Sequence, residues 1–582
     1  MSFDAKTHLT ALLRDAVASA LPDAGECDIV LERPRDPTHG DFACPVAMQL
    51  AKRLKRNPRQ LAEAIVAALR ALPAFSEDHV AAADIAGAGF INLRLSVRAK
   101  HAAVEDALRL GAAYGRGNPP KRDRLQIEFV SANPTGPLHV GHGRGAAYGA
   151  SLANLLEFAG CEVSREFYVN DAGRQMDILA ASVWLRYLEH LGAAVPFPED
   201  GYRGDYVRDI ATRLHAAHGA QFTRDTGLLP APGNDADAAV DALIGAAKSL
   251  LGEGWAAIHR FALEAMLADQ RDDLGGFGVR HDAWFSEQSL YDSGAVARAV
   301  EALGSRGHLY EKDGALWFRS TAFGDEKDRV VRRENGQYTY FASDIAYHAG
   351  KFARGFERVL DVWGADHHGY IPRVRGALAA LGLDPDRLEI ALVQFAVLYR
   401  GGEKVAMGKR SGDFVTLREL REEVGDDAAR FFYVMRKSDQ HLDFDLDLAR
   451  SQSNENPVYY VQYAHARVSS VFSQGGIGEV PQGALDPLVL ERELELMQRI
   501  AEFPDLVQTC ARDRAPHAVA FYLRELAADF HSYYNAERIL VDDAGLKNAR
   551  LRLSAAVRQV LANGLALLGV SAPERMSRTS DG

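Results

Sequence analysis

The sequence predicts a multidomain α/β protein: a doubly wound, Rossmann-like parallel sheet carrying a helical insertion, a small α/β domain before it and an all-helical bundle after it. Three observations predict this. The 582 residues are too many for one hydrophobic core. Residues 124–149, RLQIEFVSANPTGPLHVGHGRGAAYG, read as strand, turn and glycine-rich helix start, the unit from which nucleotide-binding sheets are built. From Ser451 onward the apolar residues keep a helical period to the end.

In the first domain a helix near His8 to Ala20 ends before Pro22, and Ile29-Val30-Leu31 reads as a strand. RDPTHGDFACPVAMQLAKRLKRNP is a turn followed by an amphipathic helix, and Gly87 to Leu93 is a glycine-led strand. AKRLKRNPRQ, residues 51–60, is a basic patch open to two readings, a solvated helix end or a phosphate-contacting surface. The net charge of −12 excludes nucleic-acid binding over the whole surface but leaves room for such patches. GRGNPPKRDR, 115–124, is the clearest linker.

The core follows. Leu125, Ile127, Phe129 and Val130 make a buried strand, Asn133-Pro134-Thr135-Gly136-Pro137 a turn, and a helix should start beyond it. Its free N–H groups suit a phosphate, and Gly141, Gly143 and Gly145 let a nucleotide approach the backbone. His139 and His142, three apart, share one face of the first turn. Gly143, Gly145 and Gly149 give G-x-G-x-x-x-G, a poor dinucleotide fingerprint, and a zinc pair would need further ligands, so a plain packed helix start stays open beside the phosphate reading. CEVSREFY, 161–168, is the next strand, and Asn170-Asp171 caps a long helix. Residues 175–290 read as mainly helical, with the sheet resuming near Gly314 at ALWF and then at Arg329 to Arg333.

Three later strings suit chemistry. Tyr340 and Asp344 lie one helical turn apart, a pair suited to a guanidinium fork, although Asp344 alone could be an N-cap. Val362 to Tyr370 (VWGADHHGY) is a strand ending in polar residues, where ligands of open α/β sheets bind. Val405 to Gly412 (VAMGKRSG) is a basic loop after the apolar ALVQFAVLY. Asp443 to Asp447 lacks EF-hand spacing and reads as a surface turn. Cys27, Cys44, Cys161 and Cys510 are far apart, which argues for a reducing cytoplasm, and nothing in the polar, amphipathic start or the later apolar runs suggests export or a membrane span.

His139-Val140-Gly141-His142 resembles the HIGH signature of class I aminoacyl-tRNA synthetases, and SANPTGPLHVGHGRGAAYG is similar to the arginyl-tRNA synthetase form of it. The resemblance runs through nearly the whole chain in family order. It implies an additional N-terminal domain at 1–114, carried by HGDFA and AGAGFINL, that touches the tRNA elbow and turns the basic patch towards RNA. It further implies a Rossmann-like class I synthetase catalytic domain at 115–450 with its insertion at about 171–290, and a helical anticodon-binding domain at 451–582. YFASDIAYHAGKF is similar to the segment that binds the substrate side chain, so the resemblance assigns arginine to Glu128, Ser131, Asn133, His139, Tyr340, Asp344 and His368. VAMGKRSG is similar to the KMSKS loop, with Ala406 for the first Lys, Gly408 for the first Ser and Lys409 keeping the second Lys.

ATP is then expected at Pro134, Gly136, His139, Gly141, His142, Gly364, Asp366, His367, Val405, Met407 and Lys409, with Mg²⁺ on the nucleotide. Catalysis is expected from His139, His142, Lys409 and Arg410. Tyr459, Tyr463, Arg467, Tyr533, Asn535 and Arg538 are the expected contacts to tRNA(Arg). The implied activity is ATP-dependent arginine–tRNA ligation by a cytoplasmic monomer without membrane attachment. DHH phosphoesterase chemistry at Asp366-His367-His368 lacks its upstream aspartate motifs. A synthetase for another amino acid, or a non-catalytic tRNA-binding relative, stays open at this point.

Overall fold

The computed structural model describes residues 5–576 apart from 33, 35, 76–78, 120, 231–234 and 406–414. The chain divides into two compact units, residues 1–118 with 452–567 and 571–582, and residues 119–451 with 568–570.

The first unit opens with α1 (Ala5–Ala20), β1 (Phe42–Cys44), α2 (Val46–Leu54), α3 (Pro58–Ala71), β2 (Val80–Ala86), β3 (Phe90–Leu95) and α4 (Val97–Leu110). Its three strands form an antiparallel sheet in the order β1-β3-β2, under which Leu9, Leu13, Val46, Leu61, Ile65, Ile91 and Leu93 make the core. The strand expected at Ile29-Val30-Leu31 is absent; Glu32 alone bridges to Ala43, because this short segment finds only one pairing residue on β1. Asp41 is structural: its carboxylate accepts from the Leu95 N–H at 2.6 Å and pairs with Lys100 at 2.9 Å.

The second unit begins with β4 (Arg124–Glu128), α5 (Val140–Phe158), β5 (Glu162–Val169), α6 (Arg174–His190), α7 (Asp205–His218), α8 (Ala236–Leu251), α9 (Glu253–Gly276) and β6 (Ala283–Ser286). It continues through α10 (Gln288–Asp292), α11 (Ala295–Ser305), β7 (Leu309–Lys312), β8 (Ala315–Phe318), β9 (Arg329–Arg332), α12 (Tyr340–Ala353), β10 (Arg358–Gly364), α13 (Ile371–Ala380) and β11 (Leu388–Val393). β12 (Ala396–Arg400), β13 (Glu403–Lys404), α14 (Leu417–Val424), α15 (Asp426–Val434), β14 (Leu442–Asp445) and α16 (Leu446–Arg450) complete it. Five strands form a parallel sheet in the order β11-β10-β4-β5-β6, so the chain starts in the middle, winds one way through β5 and β6 and returns on the other side of β4. The switch point, where such sheets bind ligands, lies between β4 and β10.

Three expectations are corrected here. The insertion helices α6 to α9 lie between β5 and β6, inside the first half of the sheet, and β6 closes that edge. ALWF and Arg329 to Arg332 do not resume the parallel sheet: they are β8 and β9 of a separate antiparallel sheet, β7-β8-β9. Asp443 to Asp445 is likewise no turn but the end of β14, paired with β12, and the Asp445 carboxylate caps α16 through the Leu448 N–H.

The first unit ends in helices: α17 (Pro457–Gln474), α18 (Glu491–Asp513), α19 (Pro516–Ala536) and α20 (Ala544–Leu568). No helix among the described residues is long and apolar enough to cross a membrane.

Candidate active site

Leu125, Ile127 and Phe129 are fully buried, after which the backbone breaks sharply: Val130 has φ +71° and Ser131 φ +42°. A β-branched residue in that region stores about 1–3 kcal/mol of strain, of the kind that collects at functional sites. The break lets the Ser131 hydroxyl donate to Glu128 Oε1 at 2.9 Å and accept the Tyr168 N–H at 3.0 Å. The next turn is clamped by the insertion. Gln270 on α9, wholly buried, donates to the carbonyls of Asn133 and Gly136, both at 3.1 Å, and the Tyr206 hydroxyl on α7 donates to that of Thr135 at 2.8 Å. Pro134 is buried within this turn, Gly136 is half-buried, and exposed Asn133 donates to Gln175 Oε1 at 2.8 Å.

At the start of α5 both imidazoles fold back onto the helix. His139 Nδ1 accepts the Gly141 N–H at 3.0 Å, and His142 Nδ1 accepts the His139 N–H at 3.2 Å. The rings stack with centroids 3.8 Å apart. An accepting Nδ1 carries no proton, so in each ring Nε2 is the N–H donor. Burial, then the neighbouring His139, pushes the pKa of His142 down to about 3, so it is a neutral donor at every working pH. Two donors beside a helix N-terminus can receive a phosphate without a proton changing hands. Gly141 keeps the His139 ring in place, since a Cβ there would lie 2.7 Å from it. Gly143 is corrected: it is buried against Tyr433, a Cβ meeting that ring at 2.7 Å, and so serves helix packing and not nucleotide approach.

Tyr340 begins α12 and is exposed, and its hydroxyl lies near Gly173, 3.5 Å from where a Cβ would stand. Asp344 follows one turn later and accepts from the Tyr370 hydroxyl. Glu287, just after β6, is buried and faces the same place: Ser343 donates to it at 2.9 Å, and burial with the nearby Asp344 holds its pKa above the usual carboxylate value. Asp344 is raised in the same way, first by burial and then, among the like charges, by Glu128. Two buried carboxylates side by side, with no cation paired to either at hydrogen-bond distance among the described contacts, are an arrangement that a permanently charged group would stabilise. Glu287 is the residue that sequence reasoning missed; its signal was a lone acid directly after the aromatic strand AWFS. Glu128, expected to border the same slot, has its Oε2 paired with Lys351 Nζ at 2.6 Å.

At the end of β10, Gly364 is half-buried and Asp366, His367 and His368 are exposed in a short helical turn, with Asp366 and His367 3.5 Å apart. Val405 is held by its N–H on the Leu398 carbonyl at 2.9 Å. Met407, Lys409 and Arg410 lie outside the described residues. Among the described residues no group of three or more His, Cys, Asp or Glu is placed to hold a metal.

In the helical part of the first unit, Tyr533 is corrected: it is fully buried and its hydroxyl donates to Glu493 at 3.3 Å, so it cannot stack on a base. Tyr459 is also buried, its ring stacked on half-buried Tyr463. Arg467 donates to His531 Nδ1 at 2.9 Å and lies over the rings of Tyr463 and Tyr534. Asn535 and Arg538 are exposed. A cleft of about 470 Å³ lined by Tyr460, Phe521 and Arg524 lies alongside, and Phe521 is exposed in it.

The switch-point site, with paired histidines at a helix start reached through a strained strand end, is that of a class I aminoacyl-tRNA synthetase. Residues 103–199 and 277–450 match the class I (R) tRNA synthetase catalytic domain, residues 7–95 the arginyl tRNA synthetase N terminal domain, and residues 461–576 the DALR anticodon binding domain. The chain is 61% identical to the arginine–tRNA ligase of Azoarcus sp. (strain BH72) over 99% of its own length and 100% of that protein's, and 58% identical to that of Dechloromonas aromatica (strain RCB) over the same shares. The Thermus thermophilus arginyl-tRNA synthetase structure is 26% identical, with a TM-score of 0.75 over 98% of this chain and all of that one. The arginyl-tRNA synthetase structure from Plasmodium falciparum shares the fold at 15% identity, with a TM-score of 0.72 over 99% of this chain and all of that one. The chain belongs to the arginyl-tRNA synthetase family, the arginine–tRNA ligases.

Proposed function

We propose that this chain ligates arginine to tRNA(Arg) in two steps at the β4–β10 switch point. The arginine carboxylate attacks the α-phosphate of ATP, forming the acyl–phosphate bond as the bond to the β-phosphate breaks and pyrophosphate leaves. The terminal ribose hydroxyl of tRNA then takes the arginyl group and AMP departs. No covalent enzyme intermediate is needed, so the protein contributes positioning and charge stabilisation. His139 and His142 donate Nε2–H to the phosphate as it becomes pentacoordinate. Pro134, Gly136 and Gly141 shape the triphosphate's path, with Gly364, Asp366, His367, Val405 and Met407 towards the adenosine. Lys409, assisted by Arg410, meets the charge of departing pyrophosphate. Mg²⁺ bound to the triphosphate would supply neutralisation of part of its charge.

The guanidinium lies between Asp344 and Glu287, with Tyr340 over it, while Asn133 and Ser131 face the α-amino end and Glu128 and His368 border the slot. Tyr463, Arg467, Asn535 and Arg538 of the helical region, together with Phe521 and Arg524 of its cleft, hold unstacked anticodon bases. The organisation is residues 1–114 for the tRNA elbow, 115–450 for chemistry and 451–582 for the anticodon, in a monomer acting in the cytoplasm. The observation that carries this reading is the pair of neutral, Nε2-donating histidines on the same strand-to-helix passage that begins at the acidic slot. Pyrophosphate exchange, run with and without tRNA(Arg), tests it: exchange is expected with arginine and not with lysine or citrulline. Exchange driven equally by a neutral amino acid would overturn the slot assignment.

A further inference from the structure

Beneath the slot a line of alternating charge crosses the sheet: Asp344, His348, Asp361, Lys351, Glu128. Asp344, His348 and Lys351 recur at i, i+4 and i+7 on α12 and so share a face, while Asp361 on β10 and Glu128 on β4 are register partners. Lys351, fully buried, places Nζ 2.7 Å from Asp361 and 2.6 Å from Glu128. His348, also buried, reaches the Asp361 carboxylate with Nε2 at 2.9 Å and the Asp344 carbonyl oxygen with Nδ1 at 2.8 Å. Both of these partners are acceptors, so both ring nitrogens carry protons and the ring is an imidazolium. The line then holds three negative charges and two positive ones. Charges are rarely kept so deep without a task, because apolar residues of the same volume would hold the fold as well or better.

We propose that His348 and Lys351 are positioning residues that leave the amino-acid slot short of positive charge, so that a guanidinium, and not a neutral side chain of the same shape, offsets the deficit. The proposal rests on the reading of Asp344 given above. The groups facing His348 are Asp344, Tyr347 and Lys351 on its own helix, Asp361 and Trp363 on β10, and Glu128 on β4 beyond Lys351. Tyr370 closes the far side of Asp344, and Glu287 adds to the charge deficit.

The test is the arginine KM as a function of pH, in exchange assays with tRNA present, for the wild type, His348→Gln and the double variant His348→Gln/Asp361→Asn. Loss of the imidazolium lets Asp344 take a proton more readily, so the pH at which the arginine KM rises moves up by roughly half to one unit in the single variant, with the KM for ATP unchanged. The double variant removes one charge of each sign and keeps an amide–amide bond, so its profile returns to that of the wild type. A single-variant profile superimposed on the wild type, or a double variant shifted as far as the single, overturns the proposal. Histidine-labelled ¹⁵N spectra of the intact wild-type protein test it without any substitution: under the exchange-assay conditions one buried ring should show two protonated nitrogens, and a neutral tautomer at His348 refutes it. If the wild type does not activate arginine, the parent reading falls instead, and the two failures are told apart.

Discussion

Replacing Asp344 by asparagine keeps the shape of the slot and removes half of its charge. The guanidinium cannot shed its proton, so it must enter a buried site with Glu287 as its one remaining counter-charge. Breaking a buried ion pair costs about 3–5 kcal/mol, and Glu287 holds the loss to the lower end, so the arginine KM should rise by about 100-fold or more. The KM for ATP should stay within a factor of two to three, since the histidines and the turn are untouched. Without ligand the sign reverses: burial and the neighbouring carboxylates hold the Asp344 carboxyl above its usual pKa, so its ionised form costs the empty protein stability. Asp344→Asn should therefore melt no lower than the wild type. Exchange kinetics over an arginine series, paired with a melting curve, read both effects. An arginine KM within threefold of the wild type, or a lowered melting temperature with unchanged KM, would refute the reasoning.

His142→Ala should slow adenylate formation by about 10²- to 10³-fold, the loss expected when one transition-state donor goes, with little change in the arginine KM; single-turnover exchange checks it. His142, His281 and His531 stay neutral when folded, with pKa values lowered to about 3, 4 and 4 from 6.5, first by burial in each case. The unfolded chain takes up protons below 6.5 and the folded chain does not, so stability should fall as pH drops from 6.5 towards 4, by up to about 4 kcal/mol per pH unit for the three together. Melting temperatures at stepped pH measure it, and a flat profile between 6.5 and 4.5 would contradict it. Gly149→Ala should destabilise the protein by about 1–3 kcal/mol, because the new Cβ would stand 2.4 Å from the Phe129 ring; an unchanged melting temperature would show that the ring yields freely.

Strand β4 and helix α5 were legible because an aromatic, β-branched run, a proline-glycine turn and a small-residue helix each state their own local preference. The membership of ALWF was not, since a strand's sequence records its pleat but not the partner it will join. Tyr533 shows the limit of periodicity: the pattern of α19 placed aromatics at helical spacing without saying which side packs inward. His348 and Lys351 look like the polar face of an amphipathic helix. The clue lay elsewhere, in the single acid Asp361 inside the otherwise apolar VLDVWG, which needs a buried cation opposite. Gln270 gave no signal, because a glutamine in a long helix is ordinary until its neighbours are known.

Gln270 and Tyr206 also bear on how the reaction could be governed. Three carbonyls of the turn before α5 owe their hydrogen bonds to helices interposed 71 to 137 residues downstream. Trimming those helices would leave these carbonyls without their protein partners, so the segment is a buttress and not an ornament. Whatever grips or loosens that segment from outside reaches the turn by way of two side chains.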